Sequence, residues 1–343
     1  MLFRPLVALT LFGIALANPI KRAENLEVAV TGPASSVKSI DELKFTSTVT
    51  NTGAEAVKVL KYGTILDELP TRSFKVTKDG QDVEFKGVKM TIDLNDDAYT
   101  VIQPGQTITT VHDVAQLFDF ESAGAGKFSF EALTLFPMAN EAALTKVQAA
   151  APSVEVEVTE DVATRQIVKR ATNVCNSSSL RSYIDAAYSE GRQLASVAAS
   201  YISSRGTGDS LYRSYWGTNS ASTVGGVFNR VVSGGSSTLN CNDAFGVCDG
   251  NVIAYTLTST GNIYFCSIFY NEVANGNLCS GTSVASRNVR GGTVLHELTH
   301  ATSGTDDVIY GCASDQGLSN SQKVNNADNY NCFSTQVYQN TQC

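Results

Sequence analysis

Apolar and polar residues alternate with a period of two along several stretches of the first half of the chain. Residues 26–30, 128–130 and 154–158 show this alternation most clearly, and it is typical of half-buried β-strands. Lys78-Asp79-Gly80 and Pro104-Gly105 supply turns between extended runs. This half is predicted to be β-rich, with an antiparallel, sandwich-like fold.

The second half of the chain changes to helical spacing. Apolar residues three and four apart recur from residue 180 to residue 202, which indicates a helix with one side in a core. Residues 252–257 and 263–269 are extended runs separated by Thr260-Gly261-Asn262, and they predict a hairpin. A third helix is expected from about Ser319 to Tyr338. This half is predicted to be mainly helical with a small sheet.

The segment His296-Glu297-Leu298-Thr299-His300 contains two of the three histidines of the chain. Positions four apart share one face of a helix, so both imidazoles can reach one metal ion while Glu297 addresses a water molecule beside it. Apolar residues within and before the segment provide the buried side of such a helix, and Thr293 is a possible cap at its start. The alternative is a solvated helix face without a metal.

A third ligand is needed, because catalytic zinc sites use three protein ligands and leave a position for water. No glutamate follows Glu297, and the remaining histidine, His112, lies far upstream. An aspartate is therefore expected to complete the site, unless an upstream residue or a tyrosine does. The downstream candidates are Asp306, Asp307, Asp315 and Asp328.

The segment Gly304-Thr305-Asp306-Asp307-Val308-Ile309-Tyr310-Gly311 follows closely. The two segments together resemble the deuterolysin family (aspzincins) of secreted fungal zinc endopeptidases, in which H-E-x-x-H is followed by G-T-x-D-x-x-Y-G. The resemblance implies that His296, His300 and Asp307 bind one Zn²⁺. It also implies Glu297 as general base and Tyr310 as the residue that stabilises the tetrahedral intermediate. The implied fold is an α+β zincin-like catalytic domain, preceded by a propeptide.

Further expectations concern the surroundings of this site. The resemblance implies that Asp328 lies near the site, where it orients a metal ligand or helps to form the substrate pocket; a solvated helix residue is the alternative. Residues 263–269 are the candidate edge strand for pairing with a substrate backbone, and an interior strand without substrate contact is the alternative. His112 is expected to be a surface or core residue rather than an occupant of the zinc site.

The ends of the chain predict processing. Residues 1–17 have the features of a signal peptide, with Arg4, an apolar stretch and Ala15-Leu16-Ala17 at the cleavage position. The apolar stretch is too short to span a bilayer. Lys169-Arg170 is a pair of basic residues at which a processing protease is expected to cleave, because it separates a cysteine-free segment from the part with all eight cysteines. Lys21-Arg22 is a second candidate cleavage site of the same kind. The predicted organisation is a signal peptide (1–17), a propeptide (18–170) and a mature zinc metallopeptidase domain (171–343).

The even number of cysteines in a predicted secreted domain indicates four disulfides. The sequence alone leaves their pairing open, and no C-x-x-C spacing supports a cysteine-ligated metal. The family resemblance implies Cys175–Cys241, Cys248–Cys266 and Cys279–Cys343, which leaves Cys312–Cys332 as a fourth bond. Asn176-Ser177-Ser178 is a candidate N-glycosylation sequon.

The charge distribution limits the classes of partner. Residues 1–170 contain 17 basic and 22 acidic residues, and residues 171–343 contain 8 and 11. Neither half has the basic stripe of a nucleic-acid binder, and a mildly acidic catalytic domain accepts cationic substrates better than acidic ones. The second half contains a single lysine, Lys323. We therefore hypothesise that the mature domain escapes its own lysine-directed cleavage; the alternative is that such Ser/Asn-rich domains simply contain few lysines.

The sequence predicts a secreted, extracellular zinc endopeptidase that hydrolyses proteins or peptides and favours basic ones. It is expected to be a monomer without membrane or nucleic-acid partners, and its own propeptide is expected to inhibit it temporarily. The alternative is a catalytically inactive secreted binding protein on a metallopeptidase scaffold. A structural wall or adhesion protein is disfavoured, because the chain shows neither repeats nor Ser/Thr-rich stalks.

Overall fold

The computed structural model describes residues 21–22, 25–138, 145–165 and 177–343. We call residues 21–165 the N-terminal part and residues 177–343 the C-terminal part. The predicted signal peptide, Lys169-Arg170, Cys175 and Asn176 lie outside the described residues.

The strands are β1 (Lys21–Arg22), β2 (Leu26–Thr31), β3 (Ser36–Ser39), β4 (Lys44–Asn51), β5 (Val57–Leu60), β6 (Phe74–Lys78), β7 (Gln81–Asp82), β8 (Val88–Ile92), β9 (Tyr99–Ile102), β10 (Thr107–Asp113), β11 (Gly126–Ala132), β12 (Leu135–Met138), β13 (Thr145–Gln148), β14 (Val154–Asp161), β15 (Leu239–Asn240), β16 (Val252–Leu257) and β17 (Asn262–Phe265). The α-helices are α1 (Phe120–Ala123), α2 (Ser178–Arg205), α3 (Ser210–Trp216), α4 (Ala221–Ser233), α5 (Arg290–Ser303), α6 (Cys312–Asp315), α7 (Asn320–Asn325) and α8 (Ala327–Gln342).

The N-terminal part is built from strands, as the period-two pattern predicts. Its sheets have the orders β1-β13-β12-β5-β9, β10-β4-β2 and β3-β14-β11-β6-β7. Inward-facing side chains, including Phe45, Phe74 and Phe130, form one apolar core. The expectation of purely antiparallel pairing is wrong, because β14 pairs with β3 and β13 with β1 in parallel. The alternation fixes which side chains are buried, but it does not fix the direction of the neighbouring strand.

His112 belongs to this N-terminal core. Its Nε2 lies 2.9 Å from the Ser47 hydroxyl oxygen, and its ring packs edge-on against Phe74. Burial lowers the pKa of His112 to about 4, so the ring is neutral near pH 7. The expectation of a core residue is confirmed.

In the C-terminal part, helices pack on one side of a short sheet. The predicted first helix is α2, which contacts α4, α5 and α8. The predicted hairpin is formed by β16 and β17, which pair antiparallel. The coarse class, helices together with several sheets, is therefore as predicted. After β17 the chain enters a 3₁₀ helix at Ser267–Asn271, so the second run is a shorter strand than expected.

The C-terminal sheet takes its fourth strand from the N-terminal part. Its order is β15-β17-β16-β8, and β8 pairs antiparallel with β16, with Met90 opposite Tyr255. β17 therefore lies inside the sheet, between β15 and β16. The expectation that residues 263–269 form the exposed edge is wrong, and the alternative of an interior strand is confirmed. With β8 removed, the free edge is β16.

The predicted third helix is interrupted at Asn326, and two helices, α7 and α8, take its place. Asn326 has extended backbone angles, φ −90° and ψ 117°, and it forms a β-bridge with Asp306. Its side-chain oxygen accepts hydrogen bonds from the backbone N–H groups of Val308 and Ile309. These tertiary bonds override the helical spacing. The helix begins near the predicted position, and Ser319 caps α7 by accepting a hydrogen bond from the backbone N–H of Gln322.

Three of the four expected disulfides lie within the described residues. Cys248–Cys266, Cys279–Cys343 and Cys312–Cys332 are bonded as predicted. Cys241 is also disulfide-bonded, and its expected partner lies outside the described residues. The bond between Cys312 and Cys332 joins the segment after Tyr310 to α8, next to the predicted active site.

Close helix packing around α5 depends on glycines. A Cβ atom on Gly291 would lie 2.3 Å from the Asn275 side-chain oxygen and 3.0 Å from the Glu190 backbone. On Gly292 it would lie 2.3 Å from the Asn331 side-chain oxygen. α5 is consequently buried from Gly291 to His300, and its start is not capped by Thr293, which instead donates to the buried Glu272 carboxylate.

We predict that Gly291→Ala lowers the free energy of unfolding by about 1–3 kcal/mol, because the added methyl group overpacks the contact between α2 and α5. Gly225→Ala in α4 is the matched control, since a Cβ atom added there would have no other atom within 4 Å, and alanine at this position stabilises the helix by up to about 1 kcal/mol. Urea denaturation of the full chain measures both. Equal effects of the two substitutions would contradict the packing argument.

Candidate active site

Helix α5 presents His296, Glu297 and His300, all buried, to one location. Ligand atoms of the three side chains lie within 4.8 Å of one another. The imidazole rings pack at 4.8 Å between centroids, as the spacing of four residues on one helix face predicts. α5 ends at Ser303, and the next residue, Gly304, has a φ of 69°, which lets the chain turn back toward the same face.

The turn brings Asp307 to both histidines. Its Oδ1 lies 2.9 Å from His296 Nε2 and 3.1 Å from His300 Nε2. His300 Nδ1 lies 2.7 Å from the carbonyl oxygen of Thr305, a contact that directs Nε2 toward Asp307. The three predicted metal ligands therefore converge on one point, with Glu297 beside them.

The charges at this point favour an ionised Asp307 carboxylate that faces positively charged groups. Burial opposes the ionisation of Asp307, but the positive charge of His300 and the hydrogen bond from His296 keep the pKa of Asp307 well below its usual range. Burial also opposes a charge on His296, but its hydrogen bond to Asp307 and its proximity to the Asp328 carboxylate raise the pKa of His296 to about 10. A divalent cation held by His296, His300 and Asp307 would supply the same positive charge, and His296 would bind it in the neutral form.

Asp328 lies behind His296, within α8. Its Oδ1 is 3.5 Å from His296 Nδ1, and the buried guanidinium of Arg287 donates to the same oxygen at 2.8 Å. The other oxygen accepts from the backbone N–H of Gly311 at 2.7 Å. These contacts use the whole carboxylate, so Asp328 is positioned to orient His296. The alternative of a solvated helix residue is wrong, because Asp328 is fully buried.

Glu297 receives hydrogen bonds at both carboxylate oxygens. Thr256 of β16 donates to Oε2 at 2.7 Å, and Thr91 of β8 donates to Oε1 at 2.8 Å. Burial raises the pKa of Glu297 above its ordinary value, against the lowering influence of His300 and His296. A carboxylate with a raised pKa is a better proton acceptor.

The ring of Tyr310 lies parallel to that of His296, with 6.3 Å between the ring centroids. Its hydroxyl donates to the backbone carbonyl of Met90 at 2.8 Å, and its ring lies beneath the Arg287 guanidinium. Burial raises the pKa of Tyr310 well above its usual value. The hydroxyl therefore stays protonated and can donate to a carbonyl oxygen.

The donor set fits Zn²⁺. Two imidazole nitrogens and one carboxylate are ligands that zinc prefers. His300 Nε2 is buried without a hydrogen-bond partner of good geometry among the described residues, although it lies close to Asp307. A buried polar atom of this kind calls for a ligand. A second group, Cys312, Asp315 and Cys332, cannot bind a metal through sulfur, because its cysteines form a disulfide.

Sequence reasoning missed four contributors to the site. Thr256 is a hydroxyl residue within an otherwise apolar run, which is a weak signal. Nothing in the local pattern marks Arg287, which lies 41 residues from its partner Asp328. Met90 and Thr91 of β8 are still farther away in the sequence. Met90 lies 217 residues before Asp307 and Thr91 lies 206 residues before Glu297, the carboxylates that they contact.

Comparisons with known proteins identify the family of this chain. The sequence matches the family model "Deuterolysin metalloprotease (M35) family" over residues 4–343. Neutral protease 2 homolog mep20 of Aspergillus fumigatus is 32% identical over 348 residues, covering 95% of this chain and 90% of the relative. Penicillolysin of Penicillium citrinum is 28% identical over 325 residues, covering 88% and 90%. A zinc peptidase from Grifola frondosa matches 46% of this chain and 96% of its own length at 26% identity, with a TM-score of 0.37.

The helix with its two histidines, the glutamate between them and the aspartate after the turn define a metallopeptidase. The chain belongs to the deuterolysin metalloprotease (M35) family, and it is a metalloendopeptidase that acts on proteins. The alternative of an inactive binding protein finds no support in these comparisons.

We predict that Arg287→Gln destabilises the protein by about 3–5 kcal/mol, because it leaves the Asp328 carboxylate buried without its cationic partner. It should also weaken metal binding by about 10–100-fold, because Asp328 no longer orients His296. Urea denaturation and a zinc competition titration measure the two effects. Arg192→Gln, an exposed arginine of α2, is the control, and an equally small effect of both substitutions would refute the role of Arg287.

Proposed function

We propose that this chain is the precursor of a secreted, zinc-dependent endopeptidase. Residues 1–17 are the signal peptide, residues 18–170 the pro-segment and residues 171–343 the mature enzyme, a monomer. None of the described helices has the length and apolar composition that a bilayer span requires. The observation that carries the proposal is the convergence of His296 and His300 on one oxygen of Asp307, beside a buried Glu297.

In this proposal His296, His300 and Asp307 bind the zinc ion. When bound, zinc polarises the peptide carbonyl and lowers the pKa of water. Glu297 takes the proton of the attacking water and delivers it to the leaving amine. Thr256 fixes the direction of the Glu297 carboxylate, and Tyr310 donates a hydrogen bond to the carbonyl oxygen as its negative charge develops.

We predict that Glu297→Gln retains one zinc ion per protein and loses activity by a factor of about 100 or more, because an amide cannot accept the proton. Zinc content by atomic emission and peptide cleavage by mass spectrometry measure the two properties. Asp185→Asn, a neutralised exposed carboxylate on α2, is the control and should retain both. Full activity of the glutamine variant, with zinc present, would refute the assignment of Glu297.

We propose that the N-terminal part inhibits the enzyme through β8. Four features support this role. β8 covers the edge of β16, and Thr91 occupies an oxygen of Glu297. The Met90 N–H donates to the Asp307 carboxylate at 2.8 Å, and the Met90 carbonyl accepts from Tyr310. A substrate strand needs the same edge and the same groups, so β8 and substrate compete for one location.

We predict that Thr91→Val, in a full chain whose Lys169-Arg170 pair is replaced to prevent processing, raises residual peptidase activity by about tenfold or more. The valine keeps the shape of the side chain but loses the hydrogen bond to Glu297, a loss of about 1.5–3 kcal/mol for a bond to a charged group. Thr48→Val in β4, within the same part and away from the site, is the control. The proposal fails if both variants stay equally inactive while the processed wild-type enzyme is active.

We propose that basic proteins are the favoured substrates. The mature part has more acidic than basic residues, which favours cationic chains. Its single lysine, Lys323, is buried and donates to the carbonyl of Ser214, so it is protected from cleavage in the folded enzyme. Digestion of a proteome-derived peptide library would show whether lysine is enriched around the cleaved bond, and an absence of enrichment at every position would end this proposal.

A further inference from the structure

The side chain of Lys89 in β8 is enclosed by acceptors from the C-terminal part. Its Nζ lies 2.7 Å from Asp306 Oδ1, 2.6 Å from the carbonyl oxygen of Thr305 and 3.1 Å from that of Gly304. The lysine side chain is only 11% exposed. An ammonium group has three donors, and here three acceptors surround it.

The acceptors form a preorganised site. Asn325 donates to Asp306 Oδ2 at 2.8 Å, and the backbone of Asp306 is fixed by its bridge to Asn326. The two carbonyls belong to the turn that closes α5 and brings Asp307 to the histidines. The Asp306 pocket, which we define as the Asp306 carboxylate with the carbonyls of Gly304 and Thr305, is therefore as rigid as the metal-ligand turn itself.

In the described part of the chain, the positive charges at this pocket come from the N-terminal part. Among the described residues, the ion pairs of Asp306 are with Lys89 and Arg72. When the N-terminal part leaves, the Asp306 pocket contains a half-buried carboxylate and two carbonyl oxygens that lack a cation.

The position of Lys89 relative to the reactive groups assigns the pocket to one substrate position. Tyr310 donates to the carbonyl of Met90, as it is proposed to do with the carbonyl under attack. Thr91, the next residue, lies at Glu297, where the leaving amine receives its proton. Met90 thus takes the place of the residue before the cleaved bond, and Lys89 precedes it by one.

We infer that the Asp306 pocket binds the lysine side chain of a substrate, at the second residue before the cleaved bond. The inference rests on the proposed peptidase function. Lysine fits better than arginine, because the acceptors surround a single nitrogen and do not present a planar pair to a guanidinium. Asp328 cannot take this role, because Arg287 already neutralises it.

The test uses processed enzyme from the secreted full-length chain and peptides built on the β8 sequence, with lysine, arginine or glutamine at the position of Lys89. Mass spectrometry identifies the cleaved bond. We expect kcat/KM to be higher for lysine than for glutamine by about tenfold, the value of one hydrogen-bonded ion pair. In the Asp306→Asn enzyme the ratio of kcat/KM for the lysine peptide to that for the glutamine peptide should fall close to one. In the Asp306→Glu enzyme this preference for lysine should be partly retained. Asp185→Asn is the control and should keep the wild-type ratio.

Each outcome decides a separate claim. A wild-type enzyme that cleaves the peptides without a lysine preference at this position, or an Asp306→Asn enzyme that keeps the preference, overturns the pocket and leaves the peptidase function intact. A wild-type enzyme that cleaves no peptide overturns the peptidase function instead.

If Asp306→Asn fails to fold, Lys89→Gln in the unprocessed full chain replaces it. Loss of the pocket contact should weaken β8 and raise residual activity relative to Lys127→Gln, an exposed lysine of β11. Equal activities of these two chains would overturn the inference.

Discussion

The interaction on which the structure of the site depends is the approach of two imidazole nitrogens to one oxygen of Asp307. It needs a helix that is buried on all sides, which the glycines at the start of α5 allow. It also needs a chain reversal at Gly304, which returns the aspartate within a few residues. Asp328 and Arg287 then fix His296 from behind. Burial makes each of these charges costly unless it is paired, so the members of the site depend on one another.

The same region carries the proposed inhibition of the enzyme by the N-terminal part of its own chain. β16 offers a free edge to any extended segment, and β8 takes it with a regular antiparallel ladder. Because backbone pairing is independent of side chains, pairing alone cannot distinguish β8 from a substrate. Side chains must therefore distinguish β8 from a substrate strand. The side-chain contacts that β8 makes here are those of Thr91 with Glu297 and of Lys89 with Asp306.

Short-range features of the site were predictable from the sequence, and long-range ones were not. His296, Glu297, His300 and Asp307 lie within a dozen residues, so helix periodicity and one family motif suffice to group them. Thr256 and Arg287 reach the site through tertiary packing, for which local patterns contain no signal. For the same reason, helical spacing misses the break at Asn326, where the bridge to Asp306 replaces helix bonds. Alternation predicted the strands of the N-terminal part, but neither the parallel partner of β14 nor the departure of β8 to the other sheet.

The most direct test of the central claim is a crystal structure of the processed enzyme, with anomalous diffraction recorded on both sides of the zinc absorption edge. The expected result is one zinc peak bonded to His296 Nε2, His300 Nε2 and an Asp307 carboxylate oxygen at about 2.0–2.2 Å. It would be contradicted by a zinc ion that is coordinated by some other group while the Asp307 oxygens lie beyond bonding distance.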